Sequence, residues 1–388
     1  MNQNDRLDRG LVVLFILIRI VINASYRMAY PYLRQFADGV GVTVQSASLA
    51  LTTRSLAGGF GPLLAPLADR YGRRVGMLLG VGLFTLGVGI VAAWPTFPAF
   101  IAALSLANLG NLLFLPSMQA YLGDRIPYKR RGSILALTEL SWSLSFMIVV
   151  PLLGLLIARL GWAAPFWVLT GLGMVMIVLL AWRTPPDRPA LSDRPAAVWG
   201  SLRAMLNQPS ALIAISFSLM ISLANELVNL VFGVWMSDAF QVNIAALGLA
   251  ATVIGAAELT GEFAAAAQVD RIGKKRSVRI GLAATMLAAL ALPWLGQSLI
   301  GGMVGLFLFY LGFEFTLVSY IPLMTEVMPQ ARATLMSAYL ASTSVGRALG
   351  AVMGAALYAL GFQANTLAAF AFNLLALFIL SRVPVEDE

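Results

Sequence analysis

Cysteine and histidine are both absent from this chain of 388 residues. Without cysteine there are no disulfides and no thiol nucleophiles, and without histidine the common hydrolytic triads and most transition-metal sites are excluded. The sequence also lacks the G-x-x-x-x-G-K-S/T loop that holds the phosphates of ATP, so ATP-driven work by this chain is not expected. The absences argue against an enzyme and predict that the protein uses neither a metal nor a cofactor.

Charged residues are scarce as well. They make up 11% of the chain against 59% hydrophobic residues, whereas soluble domains carry roughly 25% charged residues. Long apolar segments suited to membrane helices of about 20 residues follow one another, without the alternation of a membrane barrel. The predicted fold class is therefore an all-α integral membrane protein. The predicted segments, numbered 1 to 12, cover about 10–32, 45–68, 75–94, 97–122, 132–158, 162–182, 209–236, 243–268, 277–297, 299–325, 332–360 and 364–382.

A charged motif after segment 2 returns after segment 8. It reads D-R-Y-G-R-R from Asp69 and D-R-I-G-K-K from Asp270, 201 residues later. Glycine permits a tight backbone turn at the fourth position, and the basic residues resist crossing the bilayer. A constant shift between two copies of such a turn predicts that the chain consists of two related halves.

The connection between the halves breaks the hydrophobic pattern. It is rich in proline and charge, as in R-T-P-P-D-R-P, which is typical of a linker. The stretch 196–206 could form a short interfacial helix with Trp199 towards lipid. The predicted domains are an N-terminal six-helix half at 1–183, a cytoplasmic linker at 184–208 and a C-terminal six-helix half at 209–388.

The basic residues are distributed unevenly between the two ends of the segments. If the N-terminus is cytoplasmic, most of the 26 basic residues lie on the cytoplasmic side, and only Arg34 and Arg159 lie in the outer connections. The positive-inside rule therefore predicts cytoplasmic N- and C-termini. This distribution accounts for the net charge of +8 without nucleic acid as a partner. We expect a multi-pass protein of the plasma (inner) membrane, and the compact chain indicates a bacterial source.

The repeated motif resembles the signature loop of the major facilitator superfamily, G-x-L-a-D-r-x-G-r-r/k. The leading glycine of that pattern is Ala65 here and Ala266 in the second copy. The resemblance implies the fold of that family, with twelve transmembrane helices in two pseudo-symmetric halves and a substrate site near the midplane between them. It also implies that the first loop braces the two halves and that the second does less. The gating residues that it implies are Asp69, Arg70, Gly72, Arg73, Arg74, Asp270, Arg271 and Gly273.

Nine charged residues fall inside the predicted segments, although a charge there costs at least about 2.5–3.5 kcal/mol. In the family, segments 3, 6, 9 and 12 face lipid, and none of the nine lies in those segments. Arg19, Glu314 and Arg347 are predicted near the middle of their segments, which favours a role in handling substrate or protons. Arg27, Arg54 and Glu226 are predicted nearer the outer ends, as an outer gate, and Glu226 is also a candidate for handling substrate or protons.

The remaining acids divide into a pair and a single residue. Glu258 and Glu262 lie one turn apart on one helix face, where mutual repulsion makes one of them a candidate proton carrier. Glu139 is predicted near the cytoplasmic end of segment 5 and should matter less than Glu314. The alternative for every intramembrane charge is a static salt bridge that holds helices together.

Amide and aromatic side chains occur along the segments that line the cavity in the family. Such groups, with few charges, suit an amphipathic organic molecule better than a bare ion, although helix packing is the alternative. The predicted lining residues are Tyr26, Tyr30, Asn108, Asn111, Asn225, Asn229 and Tyr310.

The sequence resembles bacterial drug and metabolite exporters of the arabinose-efflux-permease type. Drug–proton antiporters carry an arginine in segment 4 and a glycine before the proline of segment 5, and this chain has neither. The resemblance implies a monomeric secondary transporter that works by alternating access. We expect efflux of a hydrophobic or amphipathic small molecule, with the proton gradient as driving force. A sugar or metabolite exporter, a lipid flippase and a membrane sensor without transport are the alternatives.

Overall fold

The computed structural model describes residues 9–60, 71–126, 134, 137–187, 207–328 and 332–383. These residues form helices and contain no strand. Asp69, Arg70 and the predicted interfacial helix at 196–206 lie outside them. The helices are α1 (Arg9–Arg27), α2 (Leu33–Val40), α3 (Val44–Gly58), α4 (Arg73–Ala93), α5 (Phe97–Arg125), α6 (Leu137–Leu160), α7 (Ala164–Arg183), α8 (Pro209–Asn229), α9 (Phe232–Phe240), α10 (Ile244–Ile272), α11 (Lys274–Leu295), α12 (Leu299–Val327), α13 (Arg332–Tyr358) and α14 (Phe362–Ser381).

The helices confirm the predicted all-α membrane fold. Within the described ranges, 11 helices are long and apolar enough to cross a membrane. They correspond to all the predicted segments except the second. That segment contains α3, whose 15 residues end shortly before the description stops at Phe60.

Local geometry repeats between the two halves. Gly72 and Gly273 both have φ of 94°, a conformation open to glycine because it lacks Cβ, and each directly precedes a helix, α4 and α11. Thr43 and Asn243 begin α3 and α10, and each side chain accepts a hydrogen bond from the backbone N–H three residues later. We call the end of the helices with the Gly72 and Gly273 turns the basic end, and the other the opposite end.

The first helix of each half is interrupted and then continues. After α1 ends at Arg27, the chain resumes as α2 and reaches Val40; after α8 it resumes as α9 and reaches Phe240. Both spans are therefore longer than the predicted segments 1 and 7, which were expected to end near residues 32 and 236. As a consequence, Arg27 and Glu226 lie near the middle of their spans and not near the outer ends, where the sequence placed them.

The helix α6 contains a π-helical turn at Ser145–Val149. Pro151 follows it and has no N–H with which to bond the carbonyl of Met147 four residues earlier. Thr252 of α10 donates to that carbonyl instead, at 2.9 Å. A π-turn often marks a functional position. Here its Met147 carbonyl, in the first half, accepts a hydrogen bond from Thr252 of the second half.

The two halves meet along α3 against α13 and along α6 against α10. At the opposite end, Gly233 packs so tightly that a Cβ on it would lie 2.5 Å from the carbonyl oxygen of Pro31. The ion pair of Arg34 with Asp238, at 2.6 Å, joins the halves nearby. The halves are thus held together at the opposite end.

Candidate functional site

A small cavity lies between the halves, near the middle of the spans. Its volume of about 40 Å³ holds water but not an organic molecule, so the halves must move apart to admit one. Its walls combine charged groups, amides and aromatic rings from both halves. The lining includes Arg27, Tyr30, Trp142, Asn225, Asn229, Glu258, Tyr310, Phe313, Glu314 and Arg347.

A buried ion pair in the cavity joins the two halves. Arg27 of α1 donates to Glu258 of α10 over 2.6 Å, and the two side chains are 4% and 5% exposed. Arg27 also donates to the carbonyl of Trp142 at 3.1 Å, and its guanidinium lies 3.8 Å from the ring centre of Phe146. Several groups therefore fix Arg27 in this conformation, and separation of α1 from α10 requires the ion pair to break.

A second polar connection passes through tyrosine. Arg54 is fully buried and donates to the hydroxyl of Tyr30 at 2.7 Å. Tyr30 in turn donates to Glu226 at 3.3 Å, and Asn229 donates to the same carboxylate oxygen at 3.3 Å. Neither Arg54 nor Glu226 has an oppositely charged partner within 4.0 Å among the residues described, so neutral groups separate these two charges.

Three residues of the lining have unmet hydrogen-bonding capacity. Arg347 donates to the hydroxyl of Tyr26 at 3.1 Å and has no ion pair in the described part of the chain. Asn225 is 6% exposed, and its side-chain nitrogen has no acceptor. Glu314 is 5% exposed and has neither a hydrogen bond nor an ion pair with any described residue. Among the described residues, the cavity thus presents an arginine without an ion pair, an amide nitrogen without an acceptor and an acid without a partner.

The acids of α10 and α12 lie side by side. Glu262 is one turn from Glu258 towards the basic end and accepts a hydrogen bond from Ser143 at 2.9 Å. Gly261 packs against Glu314, since a Cβ on it would lie 3.0 Å from the Cβ of that glutamate. The predicted pair Glu258 and Glu262 is therefore a group of three acids, of which Arg27 neutralises one.

Arg19 lies outside the cavity lining, although the sequence placed it near the middle of the membrane. It is two turns nearer the basic end than Arg27, and it donates to both carboxylate oxygens of Glu139, at 2.8 and 2.9 Å. The Glu139 side chain is 50% exposed, in line with its expected position near the end of its helix. The sequence placed Arg19 too deep because the first span is longer than predicted, so its midpoint lies nearer Arg27.

The loop at Gly72 is held by contacts with the start of the linker and with the first half. The backbone N–H groups of Arg73 and Arg74 donate to Asp187 at 2.6 and 3.0 Å, and the Arg73 guanidinium contacts Asp124. In the second half, Lys274 pairs with Glu326 in the same way. Asp270 and Arg271 are exposed. The bracing of one half against the other by these loops stays a prediction.

The structure brings four predicted lining residues to the cavity. They are Tyr30, Asn225, Asn229 and Tyr310. Tyr26 instead binds Arg347, Asn108 donates to the carbonyl of Arg54 at 2.9 Å, and Asn111 is half-buried on α5.

Trp142 is a lining residue that sequence reasoning missed. It lies in the run S-W-S-L-S-F, three residues after Glu139, and this polar run inside an apolar segment is the signal that could have found it. Ser143 of the same run binds Glu262.

Comparisons with known proteins agree with this architecture. Residues 15–225 and 217–388 match the family model described as Major Facilitator Superfamily. The chain is 31% identical over 330 residues to the uncharacterized MFS-type transporter YwfA of Bacillus subtilis (strain 168), covering 82% of this chain and 78% of that protein.

Two solved structures have the same fold. One is a bacterial homolog of the human lysosomal transporter Spinster in an inward-facing, unoccupied conformation, with a TM-score of 0.80, 14% identity and coverage of 98% of this chain and 97% of that one. The other is a D-xylose–proton symporter, with a TM-score of 0.77, 16% identity and coverage of 97% and 98%. The chain belongs to the major facilitator superfamily and is a multi-pass membrane transporter, not an enzyme.

Proposed function

We propose that this secondary transporter couples the movement of a small amphipathic organic molecule to protons, and that Glu314 carries the coupling proton. One observation supports this proposal above the others. Glu314 lies at the middle of α12, is 5% exposed, and has no hydrogen bond or ion pair with a described residue. A charged carboxylate that is buried without a partner is energetically unfavourable, so we expect such a group to bind a proton.

The neighbouring acids differ from Glu314 in their partners. Glu258 is bound by Arg27, and Glu262 accepts from Ser143. Since these acids lie against Glu314, their charge adds to the cost of ionising it. Opening of the halves breaks the pair of Arg27 and Glu258, which changes the field at Glu314. We propose this link between conformation and proton binding as the basis of coupling.

The proposed substrate follows from the cavity walls. Trp142, Tyr310 and Phe313 offer aromatic faces beside a few polar groups, a combination that suits an amphipathic molecule. The proposed direction is outward in exchange for protons, across the inner membrane of a bacterium with both termini cytoplasmic, and the proposed unit is a monomer. A sugar or other metabolite, a lipid, and sensing without transport are the competing functions.

The test uses purified protein in liposomes that contain a pH-sensitive dye, under an imposed proton gradient. Lipophilic organic molecules, sugars and amino acids are added singly. We expect at least one amphipathic compound to cause a proton flux that Glu314→Gln abolishes. Glu139→Gln is the matched control, because it removes the half-exposed acid near the basic end, and it should retain most of the flux.

Two results would contradict the proposal. A flux that persists in Glu314→Gln would show that another group carries the proton. A complete lack of flux with every compound, together with thermal stabilisation by one of them, would favour uncoupled transport or a sensor.

A further inference from the structure

Two hydrogen-bond donors of the cavity, an arginine without an ion pair and an amide without an acceptor, lie on neighbouring helices. Arg347 is on α13 and Asn225 on α8, and these helices pack tightly because Gly346 and Gly350 face α8. A Cβ on Gly346 would lie 2.5 Å from the carbonyl oxygen of Leu219, and one on Gly350 would lie 2.6 Å from the Cβ of Glu226. Both Arg347 and Asn225 belong to the lining of the cavity.

Neither group is fully satisfied: Arg347 has no ion pair with a described residue, and the buried side-chain nitrogen of Asn225 has no acceptor. Among the described residues, Arg347 donates to the hydroxyl of Tyr26 and to no carboxylate. A buried donor without an acceptor, as at Asn225, costs about 1–3 kcal/mol, and most buried polar groups have a partner. An arginine beside an amide presents several N–H groups, and a carboxylate is the group whose two oxygens fit such a set.

The balance of charge on this side of the cavity also calls for an anion. Arg54 and Arg347 both contact Tyr26, the first with its guanidinium 3.6 Å from the ring centre and the second through the hydroxyl. Glu226 is the acid of this cluster, and its described hydrogen bonds come from the neutral side chains of Tyr30 and Asn229. Around Tyr26, buried Arg54 and half-buried Arg347 thus face one acid, and a bound anion at Arg347 would neutralise this local excess of positive charge.

We infer that the cavity binds an organic anion whose carboxylate is held by Arg347 and Asn225. The apolar body of that anion lies against the rings of Trp142 and Phe313, which form other parts of the lining. The inference rests on the proposed function, because it names the substrate class of the same cavity. It needs no particular proton carrier, so Glu314 and Arg347 can be tested separately.

The experiment measures binding of three probes that share one apolar body. These are 2-naphthoate, 2-naphthamide and 2-naphthylmethylammonium, which are anionic, neutral and cationic at pH 7. Each is titrated into the purified full chain in detergent micelles by calorimetry, with no proton gradient. We expect naphthoate to bind the unmodified protein at least about tenfold more tightly than the amide or the ammonium compound.

The variants identify the groups responsible. Arg347→Gln should remove the preference for naphthoate, while Arg347→Lys should keep part of it because the charge remains. Asn225→Leu should weaken naphthoate binding about threefold to tenfold and leave the amide unchanged. Arg159→Gln is the matched control, since this arginine is exposed at the opposite end of α6, and its binding should equal that of the unmodified protein.

Each remaining outcome overturns the inference. These outcomes are equal binding of the three probes, tighter binding of the ammonium compound, no binding of any probe, and a naphthoate preference that survives in a well-folded Arg347→Gln protein.

Glu314→Gln distinguishes the two proposals. If the Glu314→Gln protein keeps both the naphthoate preference and the proton flux, the anion site stands and the proposed coupling fails. If the flux depends on Glu314 but no preference exists, only the anion site fails.

Discussion

Two arginines of α1 each bind a glutamate, but their ion pairs connect different parts of the molecule. Arg19 and Glu139 both belong to the first half, and the Glu139 side chain is 50% exposed. Arg27 belongs to the first half and Glu258 to the second, and both are nearly inaccessible. The first pair can move with its half as a rigid unit. The second pair must break when α1 and α10 separate, so the same two residue types serve structure in one place and conformational change in the other.

The largest expected effect comes from removing the acid of the pair between the halves. Glu258→Gln leaves the Arg27 charge buried without its counter-ion, which costs about 3–5 kcal/mol for a buried pair. Glu139→Gln also leaves a buried arginine without its carboxylate, but the site of Glu139 is 50% exposed and water can reach it, so we expect a smaller effect. Both variants are compared with the unmodified protein by thermal unfolding in detergent and by transport in liposomes. Equal losses for the two variants would contradict the distinction.

A double variant separates the stability of the pair from its role in movement. Arg27→Leu combined with Glu258→Leu removes both charges, and apolar side chains in place of a buried pair often restore stability. We expect a thermal unfolding temperature near that of the unmodified protein. Transport should fail, because the contact that changes between conformations is lost. Normal transport by this double variant would show that the pair is only a static connection.

Glycines extend the comparison from charge to packing. Gly80 lies within the first half, where a Cβ would be 2.6 Å from the carbonyl oxygen of Gly110. Gly255 lies between the halves, where a Cβ would be 2.7 Å from the side chain of Met147 on α6. Gly80→Ala should therefore lower the free energy of unfolding by about 1–3 kcal/mol through overpacking. Gly255→Ala should instead favour conformations in which α6 and α10 are further apart.

The absence of cysteine provides a clean measurement of the second effect. Arg34→Cys with Asp238→Cys replaces the ion pair at the opposite end by two thiols, and the yield of their disulfide reports how often the halves meet there. We expect Gly255→Ala to lower that yield and Gly80→Ala to leave it unchanged in the protein that remains folded. An unchanged yield in Gly255→Ala would contradict the expected shift.

Much of the fold could be predicted from the sequence because it depends on local properties. Apolar length identifies a span, and the two motifs at Asp69 and Asp270 reveal the repeat without any knowledge of contacts. The matched φ values of Gly72 and Gly273 show that the repeated letters encode a repeated backbone turn. Composition likewise excluded soluble folds, since a chain with 11% charged residues cannot provide the surface of one.

The depth and pairing of the charges could not be predicted, because they depend on tertiary structure. The first span continues after a break to Val40, so a midpoint taken from the apolar run lies too near the basic end. Arg19 was therefore placed too deep and Arg27 too shallow. The partner of Arg27 is 231 residues away in the sequence, and no spacing rule connects residues across two halves that pack face to face.

The smallest expected effect concerns one hydroxyl at the interface between the halves. Thr252 of α10 donates to the carbonyl of Met147 at 2.9 Å, where Pro151 has removed the helical donor. Thr252→Val keeps the shape of the side chain but removes this hydrogen bond between the halves, at a cost of about 1 kcal/mol. The substitution destabilises the conformations in which α6 and α10 touch. The disulfide yield of the Arg34→Cys and Asp238→Cys pair should therefore decrease.

Thr260 supplies the control for this change on the same helix. Its hydroxyl is exposed and donates to the carbonyl of Ala256 within α10, at 2.7 Å. Thr260→Val therefore removes a contact that belongs to one half, and the disulfide yield should stay as it is. If both valine variants lower the yield alike, the cause is the altered α10 itself. If only Thr252→Val does so, a single backbone carbonyl exposed by a proline contributes to the balance between the conformations.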